Sequence, residues 1–140
     1  MPAERTLAII KPDAVSRGLA APILSRVERA GFRVAGVKSL RLTREEAEGF
    51  YAVHRGKAFY NSVTDFMSSG PCVVLILEGP NAISKNRELM GATNPKDAAS
   101  GTIRREFASN IERNIVHGSD APATAAFEMG YFFNALEVCG

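Results

Sequence analysis

The sequence predicts an α/β or α+β sandwich built around one small sheet. Short apolar segments with the two-residue period of a strand alternate along the chain with segments of helical period. A composition of 46% apolar and 23% charged residues is typical of a globular domain. Because 140 residues suit a single hydrophobic core, we expect one domain over residues 1–140.

The first strand is expected at residues 6–10, an apolar run that ends before Pro12, because proline lacks the donor a strand ladder needs. A helix follows, with apolar positions that share one face. These positions are Leu19, Ile23, Val27 and Ala30. Pro22 is tolerated in the first turn of this helix, and Gly31 suits its C-terminal cap.

The second strand is expected at residues 32–42, with its apolar side chains in one phase of a two-residue period around Gly36. These side chains are Phe32, Val34, Leu40 and Leu42. The run Thr43-Arg44-Glu45-Glu46 that follows is a capping-box sequence. It predicts a helix that ends at about His54.

A short helix is expected at residues 59–67, where apolar residues recur at helical spacing before the helix-breaking run Ser68-Ser69-Gly70-Pro71. The third strand is expected at residues 73–77, a continuous apolar segment. A Gly-Pro turn at residues 79–80 then leads into a helix over residues 81–90.

Residues 91–116 are the least regular part of the chain, with one weak helical turn over residues 102–107. A loop of this length in a compact domain is typical of a functional or a disordered segment. A last helix is expected at residues 121–133, directly after Asp120 and with Pro122 in its first turn.

Charge and cysteine content exclude several classes of protein. A net charge of +2 is too small to indicate binding to nucleic acid or to a membrane. Cys72 and Cys139 are too few and too isolated for a disulfide framework or a zinc site. The N-terminus lacks a signal-peptide pattern, and the longest apolar run, residues 72–77, is far shorter than the ~20 residues of a membrane helix. We therefore expect a cytoplasmic location.

His117 lies in N-I-V-H-G-S-D, residues 114–120, and has two interpretations. Imidazole, with an ordinary pKa of about 6.5, can attack phosphorus near neutral pH without a separate base. Ser119 and Asp120 would then orient the ring or a phosphate. Alternatively, Ser119 or Asp120 caps the last helix and His117 is a structural histidine at the end of a strand. Taken alone, the segment favours the structural interpretation.

Several other residues suit phosphate, because cations and hydroxyl groups bind its oxygens and the arginine fork does so in a bidentate manner. The cations are Lys11, Arg87, Arg104 and Arg105. Thr93 and Thr102 flank the irregular loop and either donate to phosphate or close local turns. Neither G-x-x-x-x-G-K-[ST] nor G-x-G-x-x-G occurs, so a Walker-type or Rossmann site is not indicated. Taken singly, each cation is a solvated surface charge.

Six segments, taken together, are specific enough to indicate a protein family. They are A-I-I-K-P-D (8–13), F-Y-A-V-H (50–54), M-x-S-G-P (67–71), N-R-E-L-M-G-A-T-N-P (86–95), G-T-I-R (101–104) and N-I-V-H-G-S-D (114–120). In order and spacing they resemble nucleoside diphosphate kinase, and the resemblance runs over residues 6–133. The resemblance reverses the preference at His117, so that the catalytic interpretation is now favoured over the structural one.

The resemblance implies a ferredoxin-like βαββαβ sandwich, an α+β fold with an antiparallel four-stranded sheet covered by helices. It implies transfer of the γ-phosphoryl group of a nucleoside triphosphate, typically ATP with Mg²⁺, to nucleoside diphosphates of any base. The transfer would be a ping-pong reaction through a phosphohistidine on His117. Mg²⁺ would be held mainly by the nucleotide phosphates. The resemblance also implies a homo-oligomer, either a tetramer or a hexamer.

The roles of the site residues follow from the same resemblance. Lys11 and Tyr51 would contact the γ-phosphate region, and Glu128, with Ser119 beside it, would hold the second ring nitrogen of the histidine. The remaining residues would bind the nucleotide: Arg87, Thr93 and Arg104 its phosphates, Asn114 with Lys11 its sugar hydroxyls, and Phe59 and Ile111 the two faces of its base.

Residues 57–60 depart from the pattern of the family, since Lys-Ala-Phe-Tyr stands where Arg-Pro-Phe-Phe is usual. The stacking aromatic is kept, whereas the proline that would stiffen the helix pair is lost. Ala14 also replaces a usual glycine after Asp13, which matters little for the chemistry.

Two other functions compete with a kinase. R-G-K-A-F-Y, residues 55–60, resembles an aromatic RNA-binding motif, but it falls between helical segments and the net charge is nearly balanced. Nucleic acid is therefore not expected as the main partner. A member of the family without turnover would typically have lost one of the site residues, and all of them are present. His54, near a helix end, is interpreted as structural.

Overall fold

The computed structural model describes residues 3–140, so the first two residues of the expected domain lie outside the described part. The strands are β1 (Glu4–Ile10), β2 (Arg33–Leu40), β3 (Cys72–Gly79) and β4 (Val116–Gly118). The helices are α1 (Pro12–Ser16), α2 (Ala20–Arg29), α3 (Arg44–Phe50), α4 (Tyr60–Met67), α5 (Ala82–Met90), α6 (Ile103–Phe107) and α7 (Pro122–Phe132). Short 3₁₀ turns occupy Ala52–His54, Pro95–Asp97 and Ala135–Glu137.

The four strands form one antiparallel sheet in the order β2-β3-β1-β4. Helices α1 and α2 connect β1 to β2, and α5 and α6 lie between β3 and β4. This is the ferredoxin-like βαββαβ arrangement, with α3 and α4 added between β2 and β3, and it confirms the predicted fold. Strand β1 is central because it pairs with both β3 and β4.

Both faces of the sheet are buried, because β1 sends alternate side chains to opposite cores. Leu7 and Ile9 pack in a core that also contains Phe50 of α3 and Phe132 of α7. Ala8 and Ile10 pack in a second core. The second core also contains Ile23 and Val27 of α2, Met90 of α5 and Ile103 of α6. Two buried faces explain why β1 and β3 contain continuous apolar runs, at residues 7–10 and 72–77, without a polar side.

A β-bulge in β2 contradicts the predicted phase of its side chains. Val34 pairs with Leu77 and Gly36 with Ile76, so Ala35 is an extra residue on the β2 side. The extra residue exchanges the two faces of the strand. Phe32 and Val34 therefore pack in the core with α2, whereas Leu40 and Leu42 pack in the core with α7. The prediction that these four side chains share one phase was wrong.

The predicted helices agree with the structure except at their ends. Thr43 caps α3 through a complete capping box with Glu46. The helix nevertheless ends at Phe50, and the chain reaches His54 as a 3₁₀ turn. Helix α1 and strand β4 are too short to leave a periodic signal in the sequence. Within residues 3–140, no helix is long and apolar enough to cross a membrane.

Candidate active site

The register of two strands places His117. In the antiparallel pair β1–β4 the partner of His117 is Ile9, and paired residues point to the same face of a sheet. The imidazole therefore lies on the face covered by α7, where its ring centroid is 5.5 Å from that of Phe50 in an edge-on arrangement. The side chain is 22% exposed. A ring in this position is held on one side and accessible on the other.

Helix α7 supplies the group that holds the ring. The Oε1 atom of Glu128 lies 2.8 Å from Nε2 of His117, and the Ser119 hydroxyl donates to the same oxygen over 2.7 Å. If Nε2 carries the proton that it donates to the carboxylate, the lone pair of the imidazole is on Nδ1. The contact with Glu128 thus leaves Nδ1 as the ring nitrogen for chemistry.

The start of α7 corrects the predicted cap. The N-cap residue is Ala121, and its N–H donates to the Thr124 hydroxyl over 3.0 Å. The same hydroxyl donates to Asp120 over 2.7 Å, which lowers the pKa of that carboxyl group. Ser119 instead bonds to Glu128, so neither Ser119 nor Asp120 caps the helix. The proposed capping role of these two residues was wrong.

Lys11 and Asn114 form a buried pair beside β4, the strand that contains His117. The Lys11 ammonium donates to Oδ1 of Asn114 over 2.8 Å, and the Asn114 amide donates to the backbone carbonyl of Thr93 over 3.1 Å. Lys11 is 7% exposed. Burial, and to a smaller extent the nearby Arg104 guanidinium, lowers the pKa of Lys11 to about 8. An anion at this position would relieve the cost of burying the cation.

Arg104 bonds to the backbone of the two segments that flank it and still has N–H donors without an acceptor among these bonds. Its guanidinium donates to the backbone carbonyls of Gly91, Asn114 and Val116 over 3.0, 3.3 and 2.8 Å. Burial, with a contribution from Arg87, lowers its pKa to about 10. Arginine has about five N–H donors, so the three bonds to carbonyls leave N–H groups for a substrate.

Ile115, which connects Asn114 to β4, has an unusual backbone conformation. Its φ is +78°, in the left-handed region that β-branched residues avoid. The N–H of Val116 donates to the carbonyl of Asn114 over 2.8 Å, which closes a three-residue turn. No local property of the sequence predicts such a turn at an isoleucine.

Tyr51, Arg87 and Thr93 are the predicted phosphate contacts that make no side-chain hydrogen bond to His117, Lys11 or Arg104. The Tyr51 hydroxyl is buried and has no hydrogen-bond partner among residues 3–140, and burial raises its pKa. Arg87 and Thr93 are exposed. We call one group of residues the phosphate end of the site, after their predicted role: the buried Lys11, Arg104 and Asn114 and the half-buried His117 and Glu128.

The residues predicted to cover the base, which we call the base end, are Phe59, directly before α4, and Ile111, in the loop before β4. They are exposed by 44% and 56%, respectively. The Ser62 hydroxyl lies 3.0 and 3.1 Å from the two carboxylate oxygens of Glu112, and this contact links α4 to the loop. The Arg113 guanidinium, 5.3 Å from the Phe66 ring, makes a second link. Sequence reasoning missed both links, since each joins residues that are distant in the chain.

Fold and site together define a class of protein, an α+β sandwich with a held imidazole beside buried cations, an arrangement that suits chemistry on an anionic phosphate. Comparison with known proteins identifies the family within that class. The family model for nucleoside diphosphate kinase matches residues 4–138. The chain belongs to the nucleoside diphosphate kinase family, whose members transfer phosphate between nucleoside triphosphates and nucleoside diphosphates.

Relatives and solved structures agree along the whole chain. The nucleoside diphosphate kinase of Oleidesulfovibrio alaskensis is 64% identical over 138 residues, which cover 99% of each chain. That of Desulfosudis oleivorans is 61% identical over 98% of this chain and 99% of the relative. The crystal structure of the Aquifex aeolicus enzyme superposes with a TM-score of 0.96 at 41% identity, covering 98% and 99% of the two chains. The structure of a Halobacterium salinarum nucleoside diphosphate kinase in complex with CDP superposes with a TM-score of 0.96 at 38% sequence identity. The match covers 99% of this chain and 93% of that one.

Proposed function

We propose that this kinase carries the phosphoryl group on Nδ1 of His117 in a ping-pong reaction. The observation that carries the proposal is the 2.8 Å contact between Nε2 of His117 and Glu128, because it leaves Nδ1 as the nucleophilic nitrogen. The Nδ1 lone pair attacks the γ-phosphorus of a nucleoside triphosphate, typically ATP. The bond from that phosphorus to the β–γ bridging oxygen breaks, and the nucleoside diphosphate leaves with the electron pair. A second nucleoside diphosphate then takes the phosphoryl group from the histidine.

Glu128 supports both half-reactions. The imidazole becomes positively charged when Nδ1 is phosphorylated, and the carboxylate at Nε2 stabilises that charge. Ser119 fixes the carboxylate by donating to the same oxygen over 2.7 Å. Because the transition state of phosphoryl transfer is loose, positioning and charge stabilisation account for most of the catalysis.

The cations of the phosphate end are proposed to bind the transferring group and its neighbours. Lys11 and Tyr51 contact the γ-phosphate region, and Arg87, Thr93 and Arg104 bind the phosphates. The substrate is proposed to be the magnesium complex of the nucleotide, because residues 3–140 contain no group of three or more His, Cys, Asp or Glu side chains that could hold the ion and Mg²⁺ is commonly bound through substrate phosphates. Mg²⁺ neutralises part of the triphosphate charge when bound.

The base end explains low base specificity. Asn114 with Lys11 is proposed to bind the sugar hydroxyls, and Phe59 and Ile111 to cover the two faces of the base. Stacking requires only a π-face, which every base has. The relative from Halobacterium salinarum was solved with CDP, which supports nucleotide binding here.

The setting of the enzyme is proposed from its family match, its two cysteines and its edge strand. A family match over residues 4–138 supports one domain over residues 1–140. Cys72 and Cys139 are free thiols, which supports a reducing cytoplasm. A homo-oligomer, a tetramer or a hexamer, is supported by the edge strand β2, where Val37 is 57% exposed.

The test is labelling with ATP that carries a radioactive γ-phosphate. We expect a label on the protein that is labile in acid and stable in alkali, and we expect its loss in His117→Ala. In Glu128→Gln the label should still form, but at least about 10-fold more slowly, because the tautomer is no longer enforced by a charge. Wild-type protein that phosphorylates GDP without ever becoming labelled would overturn the mechanism.

A further inference from the structure

Asp13 is a polar residue next to the site that has no part in the mechanism above. It follows Pro12 in α1, directly after the strand that ends in front of Lys11. Its Oδ2 atom accepts the backbone N–H of Ile115 over 3.1 Å, across 102 positions of the chain. The backbone N–H of Lys11 donates to the carbonyl of Ile115 over 2.8 Å. Both peptide groups of Ile115 are therefore held by the Lys11-Pro12-Asp13 segment.

Ile115 needs such support because its φ of +78° is unfavourable for a β-branched side chain. A strained residue persists only where its surroundings impose the conformation. A carboxylate that accepts a backbone N–H makes a charge-assisted hydrogen bond, which is stronger than one between neutral groups. Asp13 is thus suited to hold the turn.

The turn determines the positions of two site residues. On its N-terminal side, Asn114 points its side-chain oxygen at the Lys11 ammonium over 2.8 Å. On its C-terminal side, β4 begins and places His117 opposite Ile9. If Ile115 relaxed to an ordinary conformation, the chain direction would change between these two residues. Asn114 and His117 could then not both keep their places.

Asp13 also provides a charge. The charged groups that act on the buried Lys11 ammonium are Arg104, from α6, and Asp13, from α1. Burial and Arg104 lower the pKa of Lys11, whereas the Asp13 carboxylate raises it. The Oδ1 atom of Asp13 is buried and has no hydrogen-bond partner within the described residues 3–140.

We propose that Asp13 is a positioning residue of the phosphotransfer site, which holds the Ile115 turn through its carboxylate and supplies the negative charge beside Lys11. The proposal rests on the proposed roles of His117 and Lys11. It assigns two separable functions to one carboxylate, a hydrogen-bond acceptor for a backbone N–H and an anion near a cation.

Two substitutions separate these functions. In Asp13→Asn the side-chain oxygen can still accept the N–H of Ile115, so the turn is kept while the charge is lost. The pKa of Lys11 should fall below its present value of about 8. The alkaline decrease of kcat/KM, which reports groups of the free enzyme, should then move to lower pH. The maximal kcat of this variant, measured on the acid side of that decrease, should be at least about fivefold above that of Asp13→Ala, because the turn is kept.

In Asp13→Ala the acceptor and the charge are both lost. We expect kcat per labelled histidine to fall by about 10- to 100-fold, as displacement of a reacting group by about 1 Å would cause. The matched control is Asp97→Asn, at an exposed carboxylate in the 3₁₀ turn Pro95–Asp97. It should keep the kcat and the pH profile of the wild type.

The radioactive label on His117 is counted in each variant, so that kcat is expressed per competent site. The proposal is overturned if Asp13→Asn has the wild-type pH profile and Asp13→Ala lowers only the labelled fraction, with kcat per labelled site unchanged. If Asp13→Ala does not fold, the pH profile of Asp13→Asn decides. Failure of the wild type to become labelled would instead refute the role of His117, and the pH profile of Asp13→Asn would still test the charge on Lys11.

Discussion

The side chains around His117 are mostly buried and are joined by hydrogen bonds, whereas Phe59 and Ile111 are exposed to solvent over about half of their surface. Lys11, Arg104 and Asn114 are 7%, 6% and 2% exposed, and each makes at least one bond that joins separate segments of the chain. Phe59 and Ile111 are exposed by 44% and 56%. One of the two links between their segments is the exposed pair Ser62 and Glu112.

The difference fits the two tasks that we propose for the two ends of the site. The phosphoryl group is the same in every nucleotide and its transfer depends on position, so a rigid phosphate end suits it. The base differs between nucleotides and only has to be covered, so an exposed and adaptable base end suits it. Substitutions at the phosphate end should therefore reduce stability and turnover, and substitutions at the base end should change KM.

The largest effect is expected for Gly91→Ala, next to Arg104 of the phosphate end. Gly91 has φ +88°, and an added Cβ would lie 2.5 Å from the Thr102 hydroxyl oxygen and 2.7 Å from its Cβ. The control Gly101→Ala has φ +89° and no atom within 4 Å of the added Cβ. Backbone strain alone should lower the free energy of unfolding by about 1–2 kcal/mol at Gly101. Strain and overpacking together should lower it by about 2–4 kcal/mol at Gly91.

Chemical denaturation of both glycine variants checks this prediction. The carbonyl of Gly91 accepts from Arg104 over 3.0 Å, so turnover should also fall in Gly91→Ala and stay near that of wild type in Gly101→Ala. Equal losses of stability in the two variants would contradict the close approach of Thr102 as the cause.

An intermediate effect is expected for Phe59→Ala at the base end. Loss of stacking on a base costs roughly 1–3 kcal/mol, so KM for nucleoside diphosphates should rise about 10-fold while kcat changes little. Because Phe59 is 44% exposed and buries only part of its ring, the free energy of unfolding should fall by no more than about 1–1.5 kcal/mol. The control is Leu136→Ala, at an apolar side chain that is 97% exposed. A large loss of kcat with unchanged KM in Phe59→Ala would show that the aromatic ring does not act on the base.

The smallest effect is expected for Ala58→Pro, which restores the usual proline of the family. The N–H of Tyr60 donates to the carbonyl of Lys57 over 3.1 Å, and Phe59 has φ −82° and ψ −7°. These values fit a type I turn with residue 58 at the position where proline is favoured. The substitution should raise the free energy of unfolding by about 0.4–1 kcal/mol and lower KM by no more than about twofold. A destabilised variant would mean that the turn is incompatible with proline.

The sequence by itself determined the features that depend on neighbours in the chain. Thr43 and Glu46 are three residues apart, so their capping box is readable before any fold is known. The apolar face of α2 with Ile23 and Val27, and the continuous strands β1 and β3, follow from local periodicity in the same way. The resemblance of six motifs in register then pointed to the family and to His117.

Only the tertiary structure decided the features that depend on distant pairing. The bulge at Ala35 exists because β2 pairs with β3 on both sides of one extra residue, and it overturned a phase read from alternation alone. The ring nitrogen left free on His117 depends on a carboxylate delivered by α7. The left-handed turn at Ile115 is stabilised by Asp13, 102 positions away. Local sequence patterns do not predict such contacts, because they form only when folding brings distant segments of the chain together.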